Sequence, residues 1–142
     1  MATFNEKYLS AQTIQNTGNH SDAVDVFSDL LKEAPDKASE GKTKILIAAN
    51  LFMRNEGDDQ TKSIQTYMEV WNDPEMPEYV RAKVCTEFAR IVRSKDRAFY
   101  ETYFKDEPFK SLLPSVGTES EKMSSVYLKL LQLSDEIYPN SY

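Results

Sequence analysis

The chain has 142 residues, 40% of them apolar and 28% charged, with a net charge of -6. That length suits one domain with a self-sufficient core, and the composition is that of a globular chain, not a disordered one. The acidic balance disfavours a nucleic-acid coat, a single cysteine (Cys85) excludes an internal disulfide, and a single histidine (His20) with four glycines leaves little for a zinc site or a glycine-rich phosphate loop.

Apolar spacing is helical almost throughout, and no β-branched run alternates for long enough to predict a strand. A first helix is predicted at about 4–17 and a second at about 21–33, with Gly18-Asn19-His20 as the turn and Ser21 as the N-cap. Pro35 stops the second helix, because proline cannot continue the hydrogen-bond ladder. A third helix at about 38–54 ends in Asn55-Glu56-Gly57, and a fourth at about 59–72 stops near Pro74. Pro77 suits the first turn of a fifth helix, about 77–93. Ser94 is placed to cap a sixth, about 95–105, ended by Pro108, and residues 109–113 read as a helical turn. Thr118-x-x-Glu121 has capping-box form and opens a last helix, about 118–137. The class is all-α: about seven helices in antiparallel hairpins.

The N-terminus lacks the charged-then-apolar pattern of an export signal, and the longest apolar stretch, 45–53, falls far short of the roughly 20 residues a spanning helix needs. The expectation is a soluble chain in a reducing, cytoplasmic compartment. The sequence would read the same had a membrane anchor been trimmed from it.

The stretch Gly18-Asn-His-Ser-Asp-Ala23-Val24-x-x-Phe27-x-x-Leu30-Leu31-x-x-x-Pro35 resembles the second half of a tetratricopeptide repeat, and Ala11 matches the small residue of that family's first helix. Small residues let two helix backbones approach, and the aromatic fills the gap beside them. Ala49 and Ala89 continue the series from Ala11, and Ser63 with Tyr67 repeats the pair Ala23 and Phe27 at a spacing of 40. The resemblance implies hairpins stacked as a right-handed superhelix across one domain, 1–142. Its repeat-like units would be about 4–35, 38–74 and 77–108, with helix 118–137 as the cap. The alternative is an irregular helical bundle whose hairpins share small and aromatic positions.

Six cations, Arg81, Lys83, Arg90, Arg93, Lys95 and Arg97, lie in a segment with only Glu87 and Asp96 against them, so 81–97 carries +4 and the remainder -10. At 100° per residue, Lys83, Arg90 and Arg93 share one face, while Val80, Val84, Phe88 and Ile91 share another. A cationic stripe separate from a core stripe is what a groove-lining helix requires. The bland reading is that these cations balance Glu69, Asp73, Glu75 and Glu78.

Aligned on Ala11, Ala49 and Ala89, the resemblance implies a ligand-facing surface on the first, third and fifth helices. Its polar contacts would be Gln12, Asn50, Arg54, Lys83, Arg90 and Arg93. Such a groove of amides and guanidiniums suits an extended, acidic peptide.

Asp22, Asp25, Asp29 and Glu33 form an acidic stripe on the second helix, read as a solvated face or as a surface for the 83–97 cations of a neighbouring molecule. On the last helix, Met123, Tyr127, Leu130, Leu131 and Ile137 are the expected inner stripe, and exposure of Leu128 or Leu133 would mark self-association. The aromatics of 99–109 are expected in the core.

Cys85 beside an apolar face and His20 in a turn signal no catalytic site. The sequence therefore reads as a non-enzymatic interaction module, an adaptor without cofactor or metal, binding another protein or peptide of acidic character. It binds no nucleic acid and inserts in no membrane on this reading. The alternative is a structural, self-assembling homo-oligomeric subunit.

Overall fold

A computed structural model describes residues 2–139; residue 1 and residues 140–142, the ends of the expected 1–142 span, lie outside the described residues. The chain is all-helical there: α1 (Phe4–Asn16), α2 (His20–Leu31), α3 (Lys37–Arg54), α4 (Asp59–Asn72), α5 (Glu78–Ser94), α6 (Arg97–Tyr103), a 3-10 turn (Phe109–Leu112) and α7 (Glu119–Ile137). It divides into two compact units, Met1–Val80 and Arg81–Tyr142, with the boundary inside α5. The expected repeat-like segments 4–35 and 38–74 lie in the first unit, and the boundary cuts the third.

Side-chain caps explain most helix starts. Thr3 accepts from the Glu6 amide at 3.2 Å and Asp36 from that of Ser39 at 2.8 Å. Two caps differ from expectation. Asn19, not Ser21, opens α2, its side chain accepting from the Asp22 amide at 3.4 Å. Asp96, not Ser94, opens α6, accepting from Phe99 at 3.0 Å. Ser94 instead ends α5 and returns its hydroxyl to the Ile91 carbonyl. In both cases an Asx side chain takes the cap from a serine two residues away. Thr118 and Glu121 make the full reciprocal capping box at α7.

In the first unit, α2 packs on α1 and α3, and α3 packs in turn on α4. Ala11, Ala23, Phe27, Leu30, Ile47 and Leu51 form one buried cluster, with Tyr8 edge-on to Phe27 at 5.7 Å. Between α3 and α4, Ser63 is buried and donates to the Ala48 carbonyl at 2.7 Å, one turn from buried Tyr67. The small residue that allows this approach is Ala48, fully buried, and not Ala49, which is only partly covered. Gly41 serves a similar end: a Cβ there would strike the Met76 sulfur and come within 2.7 Å of Val80 Cγ1.

In the second unit, Val84, Phe88 and Ile91 of α5 are buried as their stripe predicts, as is Val80 at the edge of the first. Phe88 stacks on Phe104 at 4.7 Å and meets Phe109 edge-on at 4.9 Å. Tyr100, Phe104 and Phe109 are core, whereas Phe99 and Tyr103 are partly exposed. The buried line of α7 is Val126, Leu130 and Ser134. Of the expected stripe only Leu130 is fully covered; Met123, Tyr127, Leu131 and Ile137 flank it. A serine reaches the core because its hydroxyl donates to the Ala82 carbonyl at 3.0 Å, which removes the cost of burying it.

Candidate functional site

The six polar residues expected to contact a ligand meet different fates. In the first unit, Asn50 is 1% exposed and its amide is fully engaged. Its Nδ2 donates to Gln15 Oε1 and to the Leu46 carbonyl, both at 2.8 Å, while its Oδ1 lies 2.8 Å from His20 Nδ1. With Nδ2 committed, Oδ1 is the acceptor and His20 carries its proton on Nδ1. Asn50 is thus a core tie among three helices and offers nothing to a ligand, a correction to the expected groove. The cause is the register of α3: with Ala48 in place of Ala49 as the close-approach residue, the helix is turned by about 100° from the assumed alignment. Thr43, seven residues earlier on the same face of α3, is buried as well.

Arg54 is also committed. Its guanidinium grips Asp59 through two bonds, Nε to Oδ2 at 2.7 Å and Nη2 to Oδ1 at 3.0 Å, and Asp59 accepts the Glu56 amide as well. Hydrogen bonding from Arg54 overcomes desolvation and holds the Asp59 carboxyl down at about 2. This fork closes the α3–α4 turn, where Asn55 and Gly57 take left-handed conformations. Gln12 remains half-buried on α1.

In the second unit, Lys83, Arg90 and Arg93 are all exposed on α5, as the separate stripes predict. Arg90 pairs with Glu87 one turn earlier. Arg93 differs: its guanidinium lies over the Tyr127 ring at 5.1 Å, with Nη1 3.4 Å from the phenol oxygen, and it pairs with no carboxylate among the described residues. Cation–π attraction holds the guanidinium against the ring, and beyond the Nη1 contact its donors remain unspent.

Arg93 stands on a cleft of about 510 Å³ between the end of α5 and the first half of α7. Val92, Met123 and Leu128 supply apolar surface; Lys95 and Arg97 join Arg93 in supplying charge. Arg97 is partly neutralised, donating to Glu101 at 2.7 Å and approaching Glu119 at 3.4 Å. Leu128 is 58% exposed. The α7 wall escaped the reading of the sequence because its residues lie some 25–35 positions beyond Arg93. The only sequence signal was the surplus width of the apolar arc at Leu128.

Cys85 and His20 are both committed to the fold. Burial pushes the Cys85 thiol up to about 12, leaving it protonated at neutral pH. His20 is bound to Asn50. Among the described residues, no group of three or more His, Cys, Asp or Glu side chains could hold a metal ion, and no helix is long and apolar enough to cross a membrane. Comparison with protein-family models, curated proteins and solved structures returned no match.

Proposed function

We propose that the chain is a non-enzymatic protein-binding module, an adaptor that holds an acidic, amphipathic segment of a partner protein in the α5–α7 cleft. The observation that carries this reading is Arg93: an oriented, carboxylate-free guanidinium beside exposed apolar surface at Leu128. A partner carboxylate would take the guanidinium fork while a neighbouring apolar side chain covers Leu128 and Met123, uniting charge-assisted bonding with apolar burial. Nothing in this cleft favours nucleic acid, since Asp96 and Glu119 line it beside the cations.

The hairpins are read as tetratricopeptide-like, supported by small or aromatic residues buried at Ala11, Ala23, Phe27, Ser63 and Tyr67. The working surface moves from the first, third and fifth helices to α5 and α7, since Asn50 and Arg54 are spent on the fold. A cytoplasmic setting accords with the lone, free Cys85.

The test is a titration of isotope-labelled protein with helical peptides whose acidic residues and leucines share one face. Binding should shift the resonances of Arg93, Tyr127 and Leu128. Arg93→Ala should weaken it about tenfold, and Arg90→Ala, whose partner is already Glu87, less than about twofold. Binding indifferent to Arg93, or no binding by any such peptide, would overturn the proposal.

A further inference from the structure

Resting on that reading, we infer that one partner is a second copy of this chain, whose α1–α2 groove receives the α7 ridge beside the cleft. Ser120, Ser124 and Leu128 lie four residues apart on α7 and line both the α5–α7 cleft and a second hollow, shared with Lys129, on the other side. A row that borders two hollows is a ridge, and it follows the i, i+4 direction along which helices interdigitate. Its tip is the exposed Leu128; Arg93, Lys95 and Arg97 outnumber Asp96 and Glu119 on one flank, and Lys129 stands with Glu121 on the other.

The first unit carries a groove of opposite character. A cleft of about 350 Å³ lies between α1 and α2, with Val26 and Leu30 as apolar lining and Glu6, Asp29 and Glu33 as acidic lining; Lys7 also lines it and pairs with Glu33 at 2.7 Å, which leaves Glu6 and Asp29 as its acidic surplus. Among the described residues Asp29 meets only Lys32, at 3.7 Å, with both side chains largely in solvent. The whole chain is divided in the same sense. Residues 1–80 hold seven Lys and Arg against fourteen Asp and Glu, whereas residues 81–142 hold ten against nine.

A ridge with an apolar tip and a cationic surplus on one copy therefore matches a groove with apolar lining and an acidic surplus on another. The two surfaces are different patches, so the contact is heterologous: each copy offers one ridge and one groove. Opposite charge on the rims steers the encounter and fixes its direction, and covering Leu128 supplies the apolar gain.

The test is the solution mass of the full chain against salt, by sedimentation or light scattering. Wild-type protein should exceed monomer mass at low salt, and its apparent dissociation constant should weaken about tenfold between about 0.05 M and about 0.5 M salt. Arg93→Glu and Asp29→Lys should each be monomeric at low salt with unchanged helicity, and Leu128→Ser should be impaired without any change of charge. An equimolar mixture of Arg93→Glu with Asp29→Lys should regain a dimer, because it retains one intact groove and one intact ridge. A wild-type monomer at low salt and high concentration would overturn the inference, as would an oligomer that ignores salt and all three substitutions. Were the monomer still to bind acidic helical peptides at Arg93, the docking reading would stand and only the self-association would fall.

Discussion

His20 Nδ1 lies 2.8 Å from Asn50 Oδ1, joining the first turn of α2 to the last third of α3 through a buried amide. Gln15 completes the cluster from α1, so one carboxamide satisfies partners on three helices. Replacing it with an apolar residue of similar volume would strand two polar groups. Asn50→Leu should lower unfolding free energy by about 2 kcal/mol, read as a lower urea midpoint at unchanged slope. Peptide binding at α7 should be unaffected, which separates this role from that of a ligand contact.

The Arg54–Asp59 fork makes a pH-dependent contribution whose sign is set by the depressed carboxyl. The folded value is about 2, below the roughly 3.9 of an unfolded aspartate, so folding is favoured by deprotonation. The contribution is fully present above about pH 4 and is lost as pH falls through about 2. Asp59→Asn should cost about 2 kcal/mol at neutral pH and flatten the stability profile between those limits. A wild-type-like profile in the variant would show that the fork contributes nothing to folding.

Gly41 is held by its neighbours and not by its dihedral angles. Alanine in a helix interior normally gains about 1 kcal/mol over glycine. Here its methyl would meet Val80 Cγ1 at 2.7 Å, on a β-branched side chain that is itself fully buried, as well as the Met76 sulfur. Overpacking of this kind costs about 1–3 kcal/mol, so Gly41→Ala should be destabilising in a thermal melt. A raised melting temperature would mean that Met76 and Val80 yield more easily than their burial indicates.

Tyr100 presents the opposite case, a buried group that should be dispensable. Its hydroxyl is buried and makes no hydrogen bond of good geometry among the described residues; desolvation pushes it up to about 12, and the nearby amides of Leu112 and Leu113, too poorly placed to satisfy the oxygen, oppose this only in part. Its ring also packs edge-on to Phe104 at 5.2 Å. Tyr100→Phe keeps the ring and removes the unsatisfied oxygen, so stability should be unchanged or rise by up to about 1 kcal/mol. A clear loss in chemical denaturation would point to a partner for the hydroxyl in solution.

The sequence by itself determined the helices and most of their ends, because these obey short-range rules. The capping box at Thr118, stops near Pro35 and Pro74, and the turn at Gly18 act within a few residues, whereas α6 ends at Tyr103, before Pro108, which opens the 3-10 turn. The division of α5 into a buried and a cationic face was legible for the same reason, and with it the exposure of Arg93. Tertiary structure alone decided which small residue of α3 meets its neighbours. Ala48 and Ala49 are equivalent in composition, yet the choice between them turns the helix by about 100° and sends Asn50 inward. It also decided that Arg54 would be spent on Asp59, that Ser134 could lie in the core, and that Tyr127 would stack beneath Arg93. Each depends on a partner whose position follows from packing, which spacing along one helix cannot supply.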